Sequence, residues 1–254
     1  MILAIFFAAS IVIWISTDSE KEKQDVSLNQ LAAEDADKSG GKPLLQEKDI
    51  EQRCDEIESK SLPAACELEV PLVYQEPELP TGCESVALTM LLLYEGFDLD
   101  KTTIADEYLL YSKSGDFSEG YVGDPYSNDG AGCFPPSLAE TANLYLEKND
   151  SGKRAVNLSG RSFEKLLQYI ADGIPVAVWT TISMSDTSFY EEGFEEDGIS
   201  YNWYDNEHCV VLSGYDLVKR TLTVNDSLDG VVIRDLDSFE YLYDIIGRFA
   251  IVIL

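Results

Sequence analysis

The run CESVALTMLLLYEG, Cys83 to Gly96, constrains the fold most. It reads as a helix over 84–95, and Leu88, Leu91, Leu92 and Leu93 leave it no polar face. A helix that is apolar all round has to be enclosed by other elements. Pro80-Thr81-Gly82 turns the chain into it, and Gly96 is its stop signal. The residue at its threshold is a cysteine, and eight residues earlier stands Gln75.

What encloses that helix is legible further along. LEVPLVYQ (68–75) is predicted to begin as a short strand, and a second helix is expected at about 100–112. A loop rich in Gly, Pro, Asp and Ser spans 116–136, and Pro136-Ser137 open a third helix. Phe163, Leu166, Leu167 and Ile170 recur at helical spacing, with Ser162 as cap and Gly173 as stop. IPVAVWTTI (174–182) is a β-branched apolar run and reads as a buried strand. CVVLSGYDLV (209–218) and RTLTVND (220–226) read as two more strands, joined at Lys219-Arg220. A helix over 237–247 and a closing strand over 248–254 complete the pattern. Helices come first and an antiparallel sheet follows, so the expected class is α+β with segregated layers.

Before this dense region lie two segments of different character. Residues 1–16, MILAIFFAASIVIWIS, carry no charged side chain. They are expected to be a signal peptide or an uncleaved signal anchor. Residues 17–66 are polar and mixed in charge, with the linker sequence Ser39-Gly40-Gly41-Lys42-Pro43. They read as a stalk, helical in part over 46–60, with the domain proper over 67–254. The formal net charge of -29 argues against nucleic acid as a partner and against adhesion to anionic lipid. Membrane attachment would therefore come from residues 1–16 alone, with the body secreted or held at the cell surface. Five cysteines (54, 66, 83, 133 and 209) are an odd number, so at least one is unpaired, and a Cys54–Cys66 bridge is one option. They form no CxxC pair, so a structural zinc site is not expected, and no metal or cofactor is assigned to the site.

Three further residues join Cys83 as candidates for chemistry. At a helix N-terminus, a thiol meets free N–H groups and the positive end of the dipole, which favour the thiolate. His208 is the only histidine, at the start of a strand, so any imidazole base must be His208. Asp226 ends the next strand, on the same rim of the sheet, where a carboxylate can orient the imidazole. Asn225 could do the same with its amide oxygen, but alternation allows only one of the two. Gln75 could supply a side-chain N–H to a developing oxyanion.

The segments VPLVYQEPELPTGCESVALTMLLLYEG, YVGDP with GAGCFPPSLAE, GIPVAVWTT, HCVVLSGYD and LTVNDS resemble the stand-alone relatives of cysteine peptidase family thirty-nine, proteins of papain-like fold. The likeness covers about residues 67–254. It implies a thiol peptidase in which Cys83 is the nucleophile, His208 the base, Asp226 the orienting carboxylate and Gln75 the oxyanion glutamine. Where the family commonly has Asp-Pro, this chain has Asp226-Ser227. The implied partner is a peptide or protein substrate, met by a monomer.

Residues 186–207 hold eight acidic residues and no basic one, with aromatics interleaved. This segment is expected either to form a lid that selects basic or aromatic substrate segments, or to be a solvated loop with its aromatics tucked on the core. The Asp-rich 116–130 loop is a weaker option for calcium, since it lacks EF-hand spacing. Two rival readings share the same residues: an amidase or transpeptidase acting on cell-wall peptides, and a non-catalytic module that captures basic partners.

Overall fold

The computed structural model describes residues 45–196 and 198–254. The compact unit is Leu44–Leu254. Residues 1–16 and the first part of the expected stalk lie outside the described residues. Among the described residues, no helix is long and apolar enough to cross a membrane.

The elements in chain order are α1 (Glu47–Glu58), β1 (Ala65–Glu67), α2 (Cys83–Tyr94), α3 (Thr103–Glu107), α4 (Pro135–Lys148), β2 (Ala155–Asn157), α5 (Phe163–Ala171), β3 (Val176–Thr181), β4 (Phe189–Glu196), β5 (Ile199–Tyr204), β6 (Glu207–Asp216), β7 (Thr221–Asp226), β8 (Gly230–Asp235), α6 (Leu236–Ile246) and β9 (Ala250–Ile253). One antiparallel sheet runs β2-β9-β3-β6-β7-β8, with β1 also pairing to β6. The strands β4 and β5 form a separate hairpin.

Both faces of the large sheet are covered, which is why β3 reads as an unbroken apolar run rather than an alternating one. Ala177, Trp179, Cys209, Val211 and Ile251 face the cluster built by α2 and α4. Val176, Val178, Val210, Leu212 and Val224 face the cluster built by α1, α5 and α6. The class is α+β, as expected, but its helices lie on both sides of the sheet. The central helix α2 is enclosed from Cys83 through Leu92.

Two expectations are corrected, and two open alternatives are decided or narrowed. Over 45–66 the chain is not a free stalk: α1 buries Cys54 and Ile57 against α5 and the sheet. Its last residue, Glu58, is 7% exposed and receives Arg161 at 3.0 Å, Lys165 at 2.6 Å and the Tyr169 hydroxyl at 3.0 Å. Burial raises the Glu58 carboxyl, and these three donors outweigh it to leave the group below its usual range. Second, residues 68–75 form no strand. Pro71 has no N–H, and only single ties hold the segment, such as Leu68 N–H to the Ser213 carbonyl at 2.8 Å. All five thiols are free, so the Cys54–Cys66 option is not taken up, and Cys66 donates to the Ile170 carbonyl at 3.3 Å. The acidic 186–207 segment is largely the β4–β5 hairpin rather than a loop, with aromatics tucked on the core as one of the two alternatives had it: Trp203 stacks on Phe117 at 4.5 Å and Tyr201 on Phe249 at 5.1 Å.

Candidate active site

The helix α2 packs on β6, and this contact puts its first residue beside the start of that strand. Cys83 is buried. The backbone N–H of Cys209, one residue beyond His208, is near enough to favour its thiolate. Burial comes first and the Glu84 carboxylate second in opposing this, and they push the Cys83 thiol well above its ordinary range. The acidic thiol expected from the helix terminus is therefore overturned: the dipole is outweighed by desolvation and a neighbouring negative charge. The sulfur is engaged accordingly, since the Cys83 thiol donates to Glu84 Oε2 at 3.2 Å. Among the described residues, no hydrogen bond joins Cys83 to His208.

His208 and Asp226 do meet. They start β6 and end β7, and His208 Nε2 lies 2.8 Å from Asp226 Oδ1, both side chains buried. Asp226 Oδ1 also accepts the backbone N–H of Leu228 at 2.9 Å. Burial raises this carboxyl, but His208 and the N–H groups of Leu228 and Asp229 outweigh it and bring the pKa down to about 2. Asp226 is thus an anion that accepts, so Nε2 is the donor in this pair and Nδ1 is the nitrogen left for other partners. Arg234 approaches the other carboxylate oxygen at 3.6 Å. Asn225 is turned to different partners: its Oδ1 accepts from Ser213 Oγ at 2.7 Å and its Nδ2 donates to the Val70 carbonyl at 2.9 Å.

Gln75 is buried and tied down at both ends of its amide. Nε2 donates to the Pro80 carbonyl at 2.8 Å, and Oε1 accepts from Ser227 Oγ at 2.6 Å. Its backbone N–H also donates to the Ser227 carbonyl at 3.1 Å. Ser227 therefore fixes which way the amide faces, leaving one N–H of Nε2 for another acceptor.

Sequence reasoning missed Ser227, Glu84 and Glu207. Ser227 was legible only as a departure from Asp-Pro. Glu84 had a local signal: it is a carboxylate one residue into a helix with no polar face. It is fully buried, and its Oε1 accepts the Cys133 N–H at 2.8 Å. Glu207 is 8% exposed, and its Oε2 has no hydrogen-bond partner. The 116–130 loop spends aspartates on its own backbone, with Asp116 Oδ1 accepting Ser118 N–H at 2.8 Å and Asp124 Oδ1 accepting Tyr126 N–H at 3.0 Å. Among the described residues no group of three or more His, Cys, Asp or Glu could hold a metal ion.

The model of the C39-like peptidase family matches residues 67–251. The chain belongs to that family. It is 31% identical over 185 residues to the uncharacterised YvpB protein of Bacillus subtilis, covering 70% of each chain. A crystal structure of a provisionally assigned C39-like peptidase from Bacillus anthracis superposes with a TM-score of 0.64 at 30% identity, covering 75% of this chain and 97% of that one. The C39-like chain described here thus shares its α+β fold with a C39-like peptidase, and its family is one of peptidase-like proteins.

Proposed function

We propose that the chain is a thiol peptidase in which Cys83, His208, Asp226 and Gln75 act together. The 2.8 Å pair of His208 and ionised Asp226, at the rim of the strand against which the Cys83 helix packs, carries this reading. Cys83 Sγ attacks a peptide carbonyl carbon, and its proton passes to His208 Nδ1, the nitrogen not committed to Asp226. Asp226 holds the tautomer and stabilises the imidazolium. The oxyanion is met by the Cys83 backbone N–H and the remaining Gln75 Nε2–H. His208 then returns the proton to the leaving amine, and water hydrolyses the thioester.

Two further parts of the proposal concern setting. Export, with residues 1–16 as signal peptide or anchor, is supported by their uncharged composition, and fractionation of expressing cells tests it. Preference for basic substrate segments is supported by the acidic 186–207 stretch and is tested by cleavage of peptides that differ only in Lys content. The peptidase reading itself is tested with a thiol-directed peptide electrophile. Wild type should be labelled and Cys83→Ala should not. Equal labelling of both sinks it.

A further inference from the structure

The proposed reaction leaves Glu84 without a part, although this carboxylate is fully buried and touches the proposed nucleophile. Its surroundings come from three elements. From α2, the Cys83 thiol donates to Oε2 at 3.2 Å. From the 121–134 loop, Cys133 N–H donates to Oε1 at 2.8 Å, and the ring of Tyr121 lies close enough for its hydroxyl to feel the Glu84 charge. From β6, Glu207, His208 and Cys209 act on Glu84 or are acted on by it. The thiols of Cys133 and Cys209 are both pushed well up, first by burial and then by Glu84. The largest influences on Glu84 and Cys83 include no Lys or Arg.

Space is reserved for this carboxylate. Gly132 has φ +138, and a Cβ there would collide with Glu84 Oε1 and press on the Trp203 ring. A side chain at residue 132 would strain the backbone and displace Glu84 Oε1 from the Cys133 N–H, so glycine there keeps the loop closed over the carboxylate. Buried carboxylates are retained at a cost in desolvation, so one touching a sulfur invites a functional account.

We propose, on the peptidase reading above, that Glu84 is a positioning residue that holds Cys83 in a resting state, its sulfur turned onto the carboxylate and still carrying its proton. Burial raises the Glu84 carboxyl, and the Cys133 N–H and the Cys83 thiol pull it back, so Oε2 stays an acceptor for the S–H proton. In this state no thiolate–imidazolium pair forms, because the sulfur's proton is committed to Glu84 Oε2. Catalysis starts when Cys83 rotates away from Glu84, and the S–H proton then passes to His208 Nδ1 as the sulfur–carbon bond forms. Glu207 lies near the same sulfur with its Oε2 unpartnered, and burial and then Glu84 push its carboxyl well up, so it brings no compensating positive charge to the site.

The test reads Cys83 alone and needs no substrate. Full-length wild type and Glu84→Gln are alkylated with iodoacetamide from pH 5 to 9, and the Cys83 peptide is followed by mass spectrometry. Glutamine can keep the Cys133 bond through its Oε1 while turning N–H groups toward the sulfur. Glu84→Gln should alkylate at least about tenfold faster at pH 7, with the profile shifted toward acid, as expected when the acceptor of the S–H proton is replaced by a group that can donate to the sulfur. An unshifted profile overturns the proposal. A purely structural role for Glu84 would lower stability and leave the profile where it was. A second measurement does not depend on the variant folding: wild type minus Cys83→Ser at 240 nm and pH 7 should show no thiolate absorbance. A full thiolate signal overturns the proposal. Either result is separate from the peptidase reading, which falls only on the labelling of Cys83→Ala.

Discussion

Asp226 offers the sharpest quantitative check on the site. Its carboxyl stands at about 2, against about 3.9 for an unfolded chain. The difference of about 1.9 pH units corresponds to at most about 2.6 kcal/mol, and partial solvent screening near Arg234 brings this to about 1.5–2.5 kcal/mol. The sign follows from the depressed value. The stabilisation is fully present above about pH 4 and is lost as pH falls toward 2, with about half gone by pH 3. Asp226→Asn removes the charge and keeps the shape. Urea unfolding of both proteins, followed by tryptophan fluorescence at pH 7, 5, 4 and 3, isolates the contribution as the difference between them. Glu58, Asp216 and Asp235, also held below their usual range, are common to both and cancel. The gap should be widest at pH 7 and narrow by about 1 kcal/mol between pH 5 and pH 3. A gap that stays constant from pH 7 to 3 would show that Asp226 is not an ionised partner of His208 and would refute the tautomer assignment.

Two other substitutions probe what surrounds the site. Ser227→Ala leaves the buried Gln75 Oε1 without its donor, so stability should fall by about 1–3 kcal/mol, and kcat of peptide cleavage should drop while KM changes little. An unchanged kcat would mean the amide does not need Ser227 to face the oxyanion. Ile57→Ala should cost about 2–4 kcal/mol in thermal or urea unfolding, because Ile57 is fully enclosed between α1 and the domain. A loss below about 0.5 kcal/mol would return α1 to the status of an appended stalk.

Legibility divided along a physical line. Elements decided by local chemistry were readable: α2 from its apolar wrap and flanking glycines, α5 from its stripe and Ser162, and β3, β6 and β7 from β-branched runs. The meeting of His208 with Asp226 was readable too, because hairpin geometry alone returns the end of one strand to the start of the previous one. What escaped depends on partners distant in sequence. Nothing near Ile57 announces that α5, more than a hundred residues later, will cover it. The strand β8 was unassigned because Gly230–Asp235 gains its ladder only from β7. The acidic hairpin looked like a loop because its charges mask a pairing held by Trp203 and Tyr201 on rings elsewhere. The acidity of Cys83 was misjudged for the same reason: the helix terminus is local, while the burial that outweighs it is assembled by β6 and the 121–134 loop.

The placement of β9 has a consequence for how such a site comes into being. Ala250–Ile253 lies between β2 and β3, inside the sheet rather than at its edge. The bond from Ser227 to Gln75 likewise spans 152 residues. A growing chain can therefore form α2, with Cys83 in place, long before Asp226, Ser227 and β9 exist to complete its surroundings. Contacts so distant in sequence are slow to close. On the peptidase reading proposed above, competence would arrive late and all at once, after residue 253 has emerged, and the Cys83 thiol of a nascent molecule would lack its partners until the sheet is whole.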